Sequence, residues 1–261
     1  MDNVIYGRNP VKEALKSERK PDKILMTDTE RTPALSEIYA LARQNRIPVQ
    51  SVDKKRLDAL AEGGNHQGVA AVVPQADYAS LEDVFQKAQD AGEAPFLVLL
   101  DGIEDPQNLG SVIRTAECAG AHGVIIPKNR AVGLTAAAVR VSSGAAQYMP
   151  VVRVTNLNQT IDLLKERGVW IAGASMEGQD YTKAPLEGAI GLVIGAEGKG
   201  ISRMTREKCD FLVALPVLGH IDSLNAAVAA GILMYEVRRR RSCQNAGDLD
   251  RRRIQCDSRL A

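Results

Sequence analysis

Hydrophobic positions in the first 75 residues follow two alternating spacings. Apolar residues every three or four positions are typical of helices, and short apolar runs between them are typical of strands. The pattern predicts helix, strand, helix, strand, helix and strand, in that order, at residues 9–19, 23–27, 32–46, 47–52, 54–61 and 69–74. Pro33 suits the first turn of the second helix, and the run from Gly63 to Gly68 breaks the chain before the last strand. We therefore predict a small α/β domain over residues 1–75.

The apolar pattern changes after Pro95, where the hydrophobic runs become continuous. Six such runs, separated by helical stretches, lie at 96–100, 123–127, 149–154, 169–174, 190–195 and 211–216. Continuous apolar strands are typical of strands that are buried on both faces. The sequence therefore predicts an α/β fold with a mainly parallel sheet and helices on both of its faces.

The boundaries of this second part follow from turn residues. Residues 76–95 contain a predicted helix from Ser80 to Ala91 and end in Gly92 and Pro95, so we predict a linker with a helix there. The second domain then spans 96–241. Its last helix, from about Ser223 to Arg241, is apolar nearly all the way round, which predicts packing on more than one side. Residues 242–261 remain as a basic tail, which we expect to be flexible.

Composition and charge restrict the class of protein. No apolar run approaches the ~18 residues that a membrane span needs, and charged residues stand where a signal peptide would be apolar. We expect a cytoplasmic protein that makes no membrane contact. The net charge of +1 hides a basic end, because from Tyr235 onward eight arginines face four acidic residues. A solvated helix end is the simpler interpretation, and contact with nucleic-acid phosphates is the functional alternative.

Ligands of parallel α/β sheets bind beyond the carboxyl ends of the strands, so the loops there are the candidate sites. The first loop and its helix carry Asn108, which we predict to be the helix N-cap, and Arg114, which the helical spacing directs away from the sheet. The second loop carries Glu197 among the glycines from Gly195 to Gly200. It lacks the Ser/Thr of a P-loop and the spacing of G-x-G-x-x-G, which argues against ATP and nicotinamide cofactors.

The third loop leads into the last helix. Ser223 is the predicted N-cap of that helix. Asn225, at the start of a helix that is otherwise apolar, needs hydrogen-bond partners, which a ligand could supply. The segment from Gly173 to Gly178 narrowly misses the nucleophile elbow of hydrolases. Three widely spaced histidines, and four cysteines without a C-x-x-C pair, argue against a metal site.

Taken together, three ordered motifs resemble those of the SpoU (TrmH) family of RNA ribose 2′-O-methyltransferases. They are N-x-G-x-x-x-R ending at Arg114, G-A-E-G-K-G from Gly195, and G-x-I-x-S-L-N ending at Asn225, each after a predicted strand. The segments IYGRNPVKEAL and GNHQGVAA also resemble the N-terminal RNA-binding domain of the family's bacterial enzymes that methylate guanosine in large-subunit (23S) rRNA. The resemblance covers the chain up to about Arg241.

The resemblance implies a SPOUT fold with a trefoil knot, a homodimer and S-adenosylmethionine as cofactor. It also implies site residues. Those matching the family's catalytic positions are Asn108, Arg114, Glu197, Ser223 and Asn225, and those matching its cofactor-binding positions are Gly173, Gly195, Leu215 and Leu224. Because a guanidinium stays protonated, Arg114 suits a phosphate or an emerging alkoxide better than the role of general base, whose identity stays open. Its outward direction suits action on the partner's cofactor.

Two other functions remain compatible with these residues. Within the same family, the substrate could be tRNA, although the extra N-terminal domain favours ribosomal RNA. Outside the enzymes, the chain could be a non-catalytic RNA-binding or ribosome-assembly protein of the same fold, against which the intact motif residues argue. Binding of S-adenosylmethionine separates this last class from the enzymes.

Overall fold

The computed structural model describes residues 3–17, 20–27, 32–61, 63–73, 78–220 and 223–257, without the side chains of residue 3 and of 243–257. The N-terminal part is a four-stranded sheet of order β1-β4-β2-β3, in which β2 and β3 are parallel and β4 is antiparallel to β1 and β2. Its elements are β1 (Asn3–Tyr6), α1 (Arg8–Lys16), β2 (Lys23–Thr27), α2 (Pro33–Gln44), β3 (Val49–Val52), α3 (Lys54–Ala61) and β4 (Val69–Val73). The predicted helices and strands are present, and β1 is an additional strand.

Helix α2 illustrates how local sequence produces this part. Thr32 caps it through Oγ1, which accepts a hydrogen bond from Leu35 N, and Pro33 occupies the first turn as predicted. Leu35, Ile38 and Ala42 recur at helical spacing and are all buried in the core of the small sheet. The amphipathic pattern therefore fixes which face of α2 packs inward.

The second part is a six-stranded sheet of order β10-β8-β9-β5-β6-β7, in which every pair of neighbours is parallel. Its elements are α4 (Leu81–Asp90), β5 (Phe96–Asp101), α5 (Pro106–Cys118), β6 (Gly123–Pro127), α6 (Ala136–Val141), a 3-10 turn (Ala145–Gln147), β7 (Val151–Val154), α7 (Leu157–Glu166), β8 (Trp170–Asp180), β9 (Ile190–Gly195), α8 (Arg203–Lys208), β10 (Phe211–Ala214) and α9 (Ala226–Asp257). The predicted parallel α/β sheet is confirmed.

Helices cover both faces of this sheet, as predicted. Buried side chains of α5 and α9 form one core with the strands, and those of α4 and α7 form a second core. Helix α4 therefore belongs to the packing of the large sheet, although we predicted its segment to be a linker. Its Val84 is fully buried beside Leu97 and Leu99, and Ser80 begins the helix with a capping box to Asp83.

Strand β9 is an inner strand of the large sheet, between β8 and β5. After β9 the chain forms α8 and the edge strand β10, and α9 then returns to pack on α5 and β9. The loop after β9 is fastened to the end of β5, because Ser202 N donates to Asp101 Oδ2 at 2.8 Å. This path fits the knotted topology that the family resemblance implies.

The small sheet packs on α6 and on the turn that follows it. Val139 of α6 is buried in the core of the small sheet, and the Arg140 guanidinium carbon lies 4.6 Å from the ring centroid of Tyr6. Gly144 has φ +96°, and a Cβ built there would lie 2.7 Å from Glu13 Cβ. The two parts therefore meet closely enough to require a glycine at this turn.

Helix α9 differs from its prediction at both ends. It begins at Ala226 instead of Ser223, and it continues to Asp257 through residues that we expected to form a flexible tail. The start of this helix leaves Val228, Ile232 and Tyr235 exposed, so one of its apolar sides is uncovered in a single chain. Among the described residues, no helix is apolar over enough of its length to cross a bilayer.

The arginine run at 238–241 is bound within the chain. Arg238 pairs with Glu93, Arg240 with Glu187 and Glu236, and Arg239 with Glu236. Arg241 is buried and donates to the carbonyl oxygens of Ala94, Pro95 and Gly188 at 2.7–2.9 Å. Arg239 stays exposed, as the simpler expectation of a solvated helix end has it, whereas Arg241 is enclosed, and all four guanidinium groups have partners within the chain.

Candidate functional site

A cavity of about 510 Å³ opens beyond the carboxyl ends of the strands, where the loops were predicted to form a site. Its inner wall is apolar and its rim is polar. The wall includes Ile194, Val213, Leu215, Ala226, Ala229 and Leu233, and the rim includes Ser175, Glu177, Glu197, Lys199, Arg206 and Ser223. Apolar walls with a few converging polar groups are typical of small-molecule sites.

Three predicted residues from three separate segments meet at this site. Asn225 Nδ2 donates to Asn108 Oδ1 at 2.9 Å and to Glu197 Oε2 at 3.3 Å. Asn108 lies in α5, Glu197 follows β9, and Asn225 precedes α9. The cluster therefore joins the first helix of the site to the loops after β9 and before α9. The amide of Asn225 is therefore held in one orientation. Its oxygen faces the helix, because Oδ1 accepts from Ala227 N at 2.9 Å and Val228 N at 3.3 Å.

These bonds correct two predicted helix caps. Asn225, and not Ser223, caps α9, and its backbone carbonyl accepts from Ala229 N. Asp105, and not Asn108, caps α5 by accepting hydrogen bonds from the N–H groups of the first turn at 3.1 and 3.3 Å. The amide of Asn108 is thereby free to bind Asn225, and Ser223 is an exposed residue of the cavity rim.

Arg114 lies on the exposed face of α5, as the helical spacing predicted. Its guanidinium donates to Ser143 Oγ at 3.3 Å, in the turn after α6. Glu197 and Ser223 line the cavity, Asn225 is hydrogen-bonded to both Asn108 and Glu197, and Arg114 does neither. The structure thus brings together four of the five predicted catalytic residues and leaves the arginine on a neighbouring surface.

The predicted cofactor residues fall into two groups. Gly195, Leu215 and Leu224 line the cavity. Gly173 is a buried residue within β8 and not a turn, and the lining of the cavity begins at the next residue, Ala174. Gly195 has no room for a side chain, since a Cβ there would lie 2.0 Å from the carbonyl carbon of Gly200. Glycine is therefore required at this position because the loop folds back on the end of β9, whether or not a cofactor is bound.

An ion pair at the rim was missed by the sequence analysis. Arg206 of α8 lies with one nitrogen 2.9 Å from Glu177 Oε2, at the far end of β8, and both line the cavity. Neither residue belongs to a recognisable motif, and they are 29 positions apart. The fold brings this residue of α8 close to the end of β8. No local pattern in the sequence reveals that proximity.

The site has no histidine among its described lining residues. Among the residues that the structure describes, no group of three or more His, Cys, Asp or Glu side chains is arranged to hold a metal ion. His122 is buried at the opposite edge of the sheet, where Phe96 N donates to its Nδ1 at 2.9 Å. Burial, with the nearby Arg241 charge, lowers the pKa of His122 to about 4, so this imidazole is neutral at pH 7.

Two family models match this chain. The model of the SpoU rRNA Methylase family matches residues 95–235, which include the whole cavity. The model described as RNA 2′-O ribose methyltransferase substrate binding matches residues 4–79. Together they cover both sheets of the structure.

Individual relatives agree with this. The TrmH family protein YacO of Bacillus subtilis is 46% identical over 91% of this chain and 96% of its own length, and a TrmH family protein of Staphylococcus saprophyticus is 49% identical over 92% and 96%. The crystal structure of the SpoU methyltransferase AviRb from Streptomyces viridochromogenes, solved with S-adenosylmethionine, superposes with a TM-score of 0.75 at 27% identity, covering 91% of this chain and 89% of that one. From the three-loop site, the family models and these relatives, we conclude that the chain belongs to the SpoU (TrmH) family of RNA methyltransferases.

Proposed function

We propose that this protein transfers a methyl group from S-adenosylmethionine to the ribose 2′-OH of a guanosine in large-subunit ribosomal RNA. The observation that carries the proposal is the hydrogen-bonded cluster of Asn108, Glu197 and Asn225 beside a cavity of cofactor size. The names of the relatives leave tRNA and rRNA both open. The N-terminal segment that matches a substrate-binding model supports the larger RNA, and cytoplasmic location follows from either substrate.

The cavity fits the cofactor that the family uses. Its volume of about 510 Å³ lies within the range of small-molecule sites, and its apolar wall suits an adenine ring. We assign Gly195, Leu215 and Leu224 to cofactor binding, chiefly through their backbone. The polar rim, with Glu177 and Arg206, would face the ribose and amino-acid ends of the cofactor. When bound, S-adenosylmethionine supplies a methyl group that is already activated for displacement.

The residues of the chain then have to place the ribose hydroxyl and deal with its proton. Alignment of two reactants contributes much of the rate of an in-line displacement. Asn225 is fixed by four hydrogen bonds and holds Asn108 and Glu197 in place. Glu197 and Ser223 lie at the rim, where a ribose hydroxyl could donate to the Glu197 carboxylate and accept from Ser223.

Arg114 completes the site from a second copy of the chain. It lies away from its own cavity, and the helix that carries it, α5, packs against α9, whose residues Val228, Ile232 and Tyr235 are exposed. A homodimer that covers this apolar side would bring α5 of one protomer toward its partner. We assign Arg114 to the phosphate beside the target ribose or to the emerging alkoxide of the reaction catalysed in the partner's cavity.

The same reasoning assigns different roles to the two parts of the chain. Residues 1–75 would bind RNA and residues 96–241 would catalyse the transfer, and helix α4 of the segment between them packs onto the catalytic part. A non-catalytic RNA-binding protein of this fold would have no need of the bonded cluster or of the cavity. Cofactor binding tests this alternative directly.

Mapping of 2′-O-methyl groups tests the proposed substrate. RNA from cells with and without the protein is compared at every position of rRNA and tRNA. We expect one guanosine of large-subunit rRNA to lose its methyl group, and purified protein with S-adenosylmethionine to restore it. Loss of a tRNA methyl group instead would overturn the rRNA assignment and keep the reaction. Absence of S-adenosylmethionine binding by calorimetry would overturn both.

A further inference from the structure

Cations on the catalytic part fall into two classes. Most are neutralised by carboxylates, as in the pairs Lys165–Asp210, Arg167–Glu82, Arg203–Glu207, Arg206–Glu177, Lys208–Asp162 and Arg238–Glu93. The segment from Lys128 to Gly144 is different. It carries Lys128, Arg130 and Arg140 and contains no Asp or Glu. Among the described residues, none of these three cations has a carboxylate oxygen within 4.0 Å.

The first half of this segment lies beside the active site. Val132 N donates to Ile103 O at 2.9 Å, which joins it to the loop that leads into α5. Gly102 of that loop is flanked by Ala196 and by the carbonyl of Arg130, which would lie 3.6 and 4.0 Å from a Cβ at this position. Ala196 directly precedes Glu197. The backbone of Arg130 therefore lies close to the residue before Glu197, and the side chains of Arg130 and Lys128 are exposed.

The second half of the segment reaches Arg114 and the small sheet. Arg140 stacks on Tyr6, next to the Gly7–Arg8 turn, and Ser143 accepts the hydrogen bond of Arg114. Arg8 is in turn bound to Gln67, since its backbone N–H donates to Gln67 Oε1 at 3.0 Å. The two N-terminal sequences that resemble an RNA-binding domain thus meet each other and adjoin α6. One continuous surface connects them with the catalytic loops.

The loop from Lys128 to Leu134 is held in place by contacts with Tyr78 and Arg153. Leu134 N donates to Tyr78 Oη at 3.0 Å, and the Arg153 guanidinium stacks on the same ring and donates to the Lys128 carbonyl at 3.3 Å. Arg130 has φ +56°, a left-handed conformation that is uncommon for a residue with a side chain. Such a conformation in a braced loop, with an exposed cation at its tip, indicates a function for that side chain.

We infer that the surface formed by Lys128, Arg130 and Arg140, extended by Arg8, binds the phosphates on one side of the target ribose. We call it the basic track. The inference rests on the proposed function, because it assumes that RNA is the substrate. Unpaired cations on a preformed backbone suit a chain of phosphates, which bind through charge and release counterions. The track leads the RNA from the small sheet to the catalytic part of the same chain.

Two exposed side chains of the track allow a clean test. Lys128→Ala/Arg130→Ala removes both charges, and neither side chain makes a hydrogen bond or ion pair with the described residues. The matched control is Lys183→Ala/Arg203→Ala, which removes two exposed cations of the same part outside the track. The RNA is large-subunit rRNA from cells that lack the protein. Its affinity is measured over a salt series, and S-adenosylmethionine affinity is measured by calorimetry.

If the track binds phosphates, the plot of log K for RNA binding against log salt concentration becomes less steep by about 0.7–0.9 for each phosphate contact that is lost. For the double variant we expect a decrease of about 1.5 in total. KM for RNA should rise at least tenfold, with kcat at saturating RNA within about twofold of wild type and cofactor affinity unchanged. The control should keep the wild-type slope. An unchanged slope in the track variant, or an equal loss in the control, overturns the inference. Failure of the wild-type protein to methylate rRNA would overturn the proposed function, while RNA binding would still decide the role of the track.

Discussion

Helix α9 takes part in two polar clusters, one beyond the carboxyl ends of the strands of the large sheet and one at their amino ends. The two clusters are built differently. At its start, Asn225 binds Asn108 and also Glu197, which lines the cavity. Sixteen residues later, Arg241 is buried and bound to three backbone carbonyls, beside His122 and Glu93. The first cluster leaves polar atoms facing a space that a ligand can fill, and the second leaves its charge enclosed by the chain. Two polar clusters on one helix can thus serve binding or stability, according to what they face.

The largest effect should come from the enclosed cluster. Arg241→Ala leaves the carbonyls of Ala94, Pro95 and Gly188 without their donor and Glu93 with one cation fewer, and should lower the free energy of unfolding by about 3 kcal/mol. Denaturant unfolding measures this. Arg203→Ala, which breaks an exposed ion pair, should change it by less than about 0.5 kcal/mol. Cofactor affinity should stay at the wild-type value, and a parallel loss of affinity would remove the distinction between the two clusters.

Outside the open cluster, Arg114→Ala should reduce single-turnover methyl transfer about 10²-fold or more, because one preorganised charge is removed from the transition state. Stability and cofactor affinity should be nearly unchanged, since Arg114 is exposed. Mixing this variant with Gly195→Val should restore some activity in heterodimers, because one intact site would then form. Activity within threefold of wild type would exclude Arg114 from the reaction, and absence of rescue would place each site within one chain.

Gly195→Ala tests whether the cavity depends on the loop after β9. The added Cβ would overlap the backbone of Gly200, so the loop must move and S-adenosylmethionine affinity should fall at least tenfold. Gly219→Ala is the matched control, because its Cβ would meet nothing within 4 Å. Calorimetry measures affinity, and circular dichroism shows whether the fold is kept. Equal affinities of the two variants would contradict the placement of the cofactor at this loop.

The smallest effect concerns pH. Burial lowers the pKa of His122 to about 4 from 6.5, so the unfolded chain takes up a proton that the folded protein does not. Stability should therefore fall as the pH decreases below 6.5, by about 1 kcal/mol between pH 6.5 and 5.5 from this group. His122→Asn keeps an acceptor for Phe96 N and should flatten the curve in this window. A curve as steep as that of wild type would show that folding does not lower the pKa of His122.

Much of the fold could be predicted because the relevant signals are local. Continuous apolar runs gave the parallel strands, and helical spacing gave the faces of α2 and α5. Strand β1 was missed, since four residues paired with a distant strand leave little local pattern. The caps were misplaced where two capping residue types compete, although Pro106 in the first turn of α5 pointed to Asp105.

The site could be predicted only as far as its motifs reach. Three motif loops came together as expected, but the Glu177–Arg206 pair has no motif. The arginines at 238–241 allowed two interpretations, a solvated helix end or contact with RNA, and sequence alone cannot show that Arg238, Arg240 and Arg241 have partners 53 to 147 positions away. Charge patterns reveal where cations are, and only the fold reveals which of them are already neutralised.

The position of α9 in the chain also has a consequence for synthesis on the ribosome. The cavity is lined by residues from Ala174 to Leu233, so it is complete only when α9 has packed against β9. Chains emerge from the N-terminus, and early parts fold first. The small sheet and the basic track are therefore available before the cofactor cavity exists. A nascent chain can therefore meet RNA before it can methylate it, and methyl transfer begins only when the last helix is in place.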